Sequence, residues 1–185
     1  MLRRVLDIIY GTALAAACLA MIAIAVMVFL QILGRIVDRA LIMSGVDPLG
    51  LAIPSLSDFG GFLFVAAATL ALPSTLRAAG HVRVTLALAV FGPRVGGILT
   101  VAILAIALGL ASFAAWHSAV QMWDSLSFNT VSFGMVKVPL WIPQAVMTLG
   151  FGLLALAVLD ELLTALRGQT PSFRLAEAKR SEGSH

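Results

Sequence analysis

Charge is what this sequence has least of. Only 11% of its 185 residues are Asp, Glu, Lys or Arg, against 61% apolar, whereas a soluble domain carries about 25% charged residues. A soluble fold of this size leaves about a third of its unfolded surface in water, and there are too few charges here to cover it. The shortage excludes a soluble enzyme, and a mean hydropathy of +1.04 excludes a disordered linker. A net charge of +3, from 12 basic and 9 acidic residues, is too slight to track a phosphate backbone, so no nucleic acid is expected as a partner. Cysteine is nearly missing too. Cys18 is the single one, which rules out a disulfide framework or a cysteine-rich metal site. It sits in an apolar run that continues uncharged to Gly34, too long for a cleaved signal peptide, and so reads as part of a retained anchor.

What the sequence does have is long apolar runs. Charge-free stretches occupy residues 8–34, 59–76, 95–116 and 138–159. About 20 helical residues cross a hydrocarbon core about 30 Å thick. The pattern predicts an all-α membrane protein with four transmembrane helices over residues 8–34, 58–76, 95–117 and 138–160, together with short interfacial amphipathic helices. Residues 1–168 form one membrane domain on this reading, and 169–185 a polar cytoplasmic tail too hydrophilic to fold alone.

The few basic residues orient the chain. Arg3 and Arg4 precede span 1; Arg77, Arg83 and Arg94 lie between spans 2 and 3; Arg167, Arg174, Lys179 and Arg180 follow span 4. The other two loops hold Arg35, Arg39 and Lys137 alone. The excess of Lys and Arg marks the cytoplasmic side, which places both termini in the cytoplasm of a multi-pass protein.

Three border segments carry local signals. Ile36, Val37, Ala40 and Leu41 form an apolar stripe that extends helix 1, with Arg35, Asp38 and Arg39 on the other side. Ser55-x-x-Asp58 resembles a capping box at the start of helix 2. Val84, Leu88 and Phe91, stopped by Gly92-Pro93, predict an interfacial amphipathic helix in the second loop.

The interior is as informative as the borders. An ionisable residue at the bilayer centre marks a functional site, and the four runs contain none. Their polar residues, among them Thr12, Gln31, Thr69, Thr100, Ser112, Gln144 and Thr148, are hydroxyls and amides suited to bonding within and between helices. Haem would need two facing histidines, but His81, His117 and His185 lie at different borders. No catalytic residue, metal ligand or cofactor is therefore expected. Ala105-x-x-x-Gly109 and Ala107-x-x-x-Ala111-x-x-x-Ala115 give helix 3 small faces for close packing. Trp116, Trp123 and Trp141 fall where tryptophan anchors a span at the interface. Residues alone thus leave open a subunit that supports a partner's chemistry, a stand-alone small transporter or channel, and a membrane redox subunit.

Border motifs narrow this. Gly80-His81-Val82-Arg83-Val84 resembles the Gly-His-(Ile/Val)-x-Val-Asp signature of the small permease subunits of tripartite ATP-independent periplasmic (TRAP) transporters, the DctQ-like family. Val138-Pro139-Leu140-Trp141-Ile142-Pro143-Gln144 followed by Gly150-Phe151 is similar to that family's start of helix 4, and Gln31 with Arg35 to its Gln-x-x-x-Arg pattern. Thr85 stands where the family has Asp, Ser57-Asp58 where it has an acidic pair, and Thr148 where it has a second proline. The resemblance implies a scaffold subunit of a sodium-coupled importer of organic acids in the bacterial inner membrane. Its implied partners are a large permease subunit, a periplasmic substrate-binding protein and membrane lipids. The candidate subunit and lipid interface comprises Arg35, Asp58, His81, Arg83, Arg94, Trp123, Trp141 and Pro143. Arg35 is the candidate neighbour of Asp58, and Asp160 and Glu161 are candidate partners of His81, Arg83 and Arg94. The third loop, with Trp123, Phe128 and Phe133, is expected to meet a partner.

Overall fold

The computed structural model describes residues 2–51, 54–78, 92–169 and 172, with only the backbone of residues 2, 3 and 92–94. It contains four long helices: α1 (Leu2–Met43), α2 (Leu56–Arg77), α3 (Gly92–Ser127) and α4 (Trp141–Leu166). Each includes a stretch long and apolar enough to cross a membrane. Among the described residues there is no sheet, only an isolated antiparallel bridge between Val131 and Pro139. α1, α2 and α3 run past their charge-free stretches at both ends and α4 at its C-terminal end, because a helix ends where its backbone hydrogen bonding does and not where hydrophobicity does. Pro93 starts α3 in a first-turn position, where its missing N–H costs nothing. The amphipathic helix expected over 81–91 lies outside the described residues.

The helices form an open row. α1 packs on α2, α2 on α4, and α4 on α3, so the first and third helices are the two edges. Small residues make this packing. The buried positions of α1 include Tyr10, Ala13, Ala17, Ala20 and Gln31, at alternating three- and four-residue steps with one gap. Ala13 and Ala17 meet Leu70 of α2, backed by Val146 and Leu153 of α4. Leu19, Ile22, Phe29 and Leu110 point outward. Lipid is as apolar as leucine, so helices in a membrane gain by close backbone approach and leave their large side chains outside.

Two side-chain contacts set the register of α1 against α2. Ser74 Oγ donates to the Tyr10 carbonyl, and Arg77 pairs with Asp7. Carried along the antiparallel pair, this places Leu56, the first residue of α2, beside Val28. From Asp7 to Val28 is about 31 Å of helix at 1.5 Å per residue, which matches a hydrocarbon core of about 30 Å. α1 then continues to Met43, about 22 Å further. The apolar stripe expected on that extension is divided between two sides of the helix, and Arg35 and Arg39 are exposed. Asp38 and Leu41 are half-buried on the packed side, while Ile36, Val37 and Ala40 face outward.

Candidate functional site

The charges of the described residues gather at the two ends of the row. At the end carrying the chain termini, Arg77 in the last turn of α2 joins three helices. One guanidinium nitrogen donates to Asp7 of α1, and the other to Asp160 of α4 at 2.9 Å. The guanidinium carbon lies 4.6 Å from the centre of the Tyr10 ring. The pairs differ in burial: the Arg77 and Asp160 side chains are 17% and 23% exposed, that of Asp7 62%. A planar fork suits this task, since it meets two carboxylates and stacks on a ring at once. Glu161, 1% exposed, is the neighbouring acid. One of its oxygens accepts the Ser172 amide at 2.8 Å, a contact 11 positions along the chain. Glu161→Leu is expected to speed tryptic cleavage at the exposed Arg167 several-fold, whereas Glu161→Gln keeps the acceptor and the wild-type rate. Equal rates for both variants would show that the bond does not hold the segment.

The opposite end is closed by loops. Ser55 adopts a left-handed φ of 56° and its side chain makes no helix cap. Its hydroxyl accepts the Val136 amide of the third loop instead, at 2.9 Å. Gly134 of that loop lies so close to Asp58 and Ser55 that an added Cβ would fall on the Asp58 carboxylate. The expected capping box is thus a docking point for the loop. Inside the loop, Ser132 Oγ donates to the Val136 carbonyl and accepts the Val138 amide, and the Leu140 amide donates to the Thr130 carbonyl. A rigid turn results, with Phe133 and Met135 bare at its tip. Asp38 holds the first loop similarly, accepting the Leu49 and Leu51 amides. Losing one such bond costs about 1 kcal/mol. Ser55→Ala should therefore speed hydrogen exchange at the Val136 amide by roughly fivefold, leaving exchange in α3 and α4 unchanged; an unaltered Val136 rate would refute the pin.

Between the ends, polar contacts are hydroxyl-based. Thr12, Thr69 and Thr100 donate to carbonyls of their own helices, as the sequence implied. Thr148 also meets Ser118 of α3 at 2.8 Å. Gln144, with its amide turned, donates to Ser125 Oγ and the Gln121 carbonyl. Among the described residues no three His, Cys, Asp or Glu side chains converge to hold a metal ion.

Of the candidate interface residues, Arg35, Asp58, Trp123, Trp141 and Pro143 have described side chains. Arg35 is exposed on α1, and Asp58 is half-buried under the third loop. They form no ion pair with each other, because Arg35 projects beyond the level at which α2 begins. Trp123 and Trp141 are exposed, in the last turns of α3 and at the start of α4, and Pro143 is half-buried in the first turn of α4. His81 and Arg83 lie outside the described residues, and Arg94 is described only in its backbone. Asp160 is engaged by Arg77, and its expected pairing with His81, Arg83 or Arg94 lies outside the described side chains. Sequence reading missed the Arg77 network because Asp7 and Tyr10 stood at a border that looked like orientation signal alone. Their common level with Arg77 and Asp160 was the available clue.

An open row of four membrane-length helices, with charges restricted to its ends, defines a multi-pass helical membrane protein. Residues 24–168 match the family described as tripartite ATP-independent periplasmic transporters, DctQ component. The chain belongs to that family and is a small membrane subunit of a TRAP transporter. No curated protein and no solved structure matches it.

Proposed function

We propose that this subunit is a scaffold for sodium-coupled import of an organic acid, supporting a large permease subunit and the docking of a periplasmic substrate-binding protein. One observation carries the reading. The helices pack through small residues into an open row, and each of the four leaves large apolar side chains exposed, among them Leu19, Phe64, Leu110 and Leu156. Such a shape suits widening a larger membrane partner. The termini lie in the cytoplasm of a bacterium on this reading, and the loop end with Asp58, Trp123, Trp141 and Pro143 faces the periplasm of the inner membrane. Arg35 belongs to that outer surface, while His81, Arg83 and Arg94 meet lipid phosphates or the partner on the cytoplasmic side.

Reconstitution in liposomes tests this. Uptake of a carboxylate should require this chain, the large subunit and the binding protein together, and should collapse without an inward sodium gradient. Uptake by this chain alone would favour a stand-alone transporter, and sodium-independent uptake by the full set would remove the coupling.

A further inference from the structure

The most unusual surface of the molecule is the outer side of α1. Within the membrane-thick block, Leu19, Ile22 and Val26 are exposed, Ile22 at the rim of a cleft shared with Phe64 of α2, and lipid alone would satisfy them. The same line continues past Val28 through Phe29, Leu33, Ile36, Ala40 and Met43, all exposed, at alternating steps of four and three residues. That spacing is a heptad seam, the geometry by which one helix receives another. Its far half lies on the part of α1 that projects beyond the start of α2. Ile36 is 59% and Met43 84% exposed. Even with polar headgroups included, a bilayer extends only about 5–8 Å past its hydrocarbon core on each side, so the last turns of α1 stand outside it.

Continuity decides the occupant. Lipid can cover Leu19 to Val26 but cannot reach Ile36 to Met43. A soluble protein can cover the far half but not the near one. Only a membrane helix that also runs on beyond the bilayer covers the whole line. Charge then separates a different chain from a second copy. Arg39 flanks the projecting seam with its side chain exposed, and Arg35 lies one turn before it on the helix surface. The only acid of this segment, Asp38, is held on the opposite face by the Leu49 and Leu51 amides. Two copies would bring cations to the seam with no acid to meet them, whereas a different helix can supply one.

We infer that the outer seam of α1, from Leu19 to Met43, is the docking line for a long membrane helix of the large permease subunit, with an acidic side chain of that helix opposite Arg39. This rests on the scaffold reading and adds to it which face is used.

The test uses the full chain co-expressed with the large subunit of the same transporter. A photoreactive benzophenone side chain is placed at Leu33, Ile36 or Met43, and for comparison at Ile106 or Phe113 on the outer face of α3. The expected result is an adduct with the large subunit from the three α1 positions. In parallel, Ile36→Glu with Met43→Glu, both at exposed positions, should lower co-purification of the large subunit by roughly tenfold with unchanged helicity. Adducts from α3 alone, an adduct of two copies, an adduct with the binding protein, or no protein adduct while the subunits co-purify would each overturn the inference and leave the scaffold reading standing. Failure of the unaltered chain to co-purify with the large subunit would overturn both.

Discussion

Replacing Arg77 with methionine is expected to loosen three helices at once. The variant keeps the length and apolar stem of the side chain but leaves Asp160 and Asp7 without a cation. Removing one partner of a buried pair costs about 3–5 kcal/mol, because the other charge stays desolvated. Asp7 is well exposed and Asp160 partly so, which lowers the expected loss to about 2–3 kcal/mol. The two acids should rank by burial. Asp7→Asn should cost under about 1 kcal/mol and less still in high salt, and Asp160→Asn distinctly more. Arg77→Lys should fall between wild type and Arg77→Met, since an ammonium cannot reproduce the two-armed fork. Arg77→Met with Asp160→Leu should recover much of the loss, because no buried charge is then left alone. Thermal unfolding in detergent, followed by circular dichroism and by loss of the monomer peak, measures all five. A larger cost for Asp7→Asn than for Asp160→Asn, or a neutral Arg77→Met, would show that the network does not hold the helices.

That network illustrates what could and could not be read beforehand. Spans are visible in a sequence because hydrocarbon excludes charge, and a run of uncharged residues records that exclusion directly. Pairing between helices leaves no such record. Asp7, Arg77 and Asp160 are far apart in the chain, and only the register of the folded row brings them to one level. Ser55 and Asp58 show the opposite failure. Their spacing fits a cap, yet the Ser55 hydroxyl is taken by Val136, a competitor that lies 81 positions away. Local pattern names what a residue is able to do; the nearest available partner decides what it does.

Small residues show the same division. Helix 3 carries two small-residue lines of equal promise in sequence. In the structure Ala111 is buried and Ala107 and Ala115 are half-buried, on the side facing α4, while Ala105 and Gly109 look outward. Gly109 has nothing within 4 Å of an added Cβ. Alanine and glycine are common in membrane helices for several reasons, so the sequence alone could not say which line is used. The seam of α1 was likewise invisible until the register placed Leu56 beside Val28 and left the last turns of α1 standing clear.

Gly150 supplies the sharpest test of the row itself. It sits where α4 crosses α2, and a Cβ there would come within 2.7 Å of the Thr69 backbone carbon and of Thr69 Oγ1. Neither obstacle can move easily. The hydroxyl is bonded to the Val65 carbonyl of its own helix at 2.8 Å. The backbone carbon is part of the helix itself, one turn before the fully buried Pro73, and shifts only if α2 shifts with it. Gly150→Ala must therefore push α2 and α4 apart, and overpacking of this kind costs about 1–3 kcal/mol. Gly150→Leu should prevent the two helices from meeting at all. Gly152, two residues on, has open space around its added Cβ, so Gly152→Ala should be neutral or stabilising by up to about 1 kcal/mol through helix propensity. Thr69→Gly should restore part of the loss in Gly150→Ala, because it removes the hydroxyl and Cβ but not the backbone carbon. Unfolding midpoints in detergent compare the four variants. A disulfide between cysteines placed on α2 and α4 near this crossing, formed in wild type and lost in Gly150→Leu, would locate the separation. If Gly150→Ala and Gly152→Ala behave alike, the close crossing of α2 and α4 is not what joins the two halves of the row.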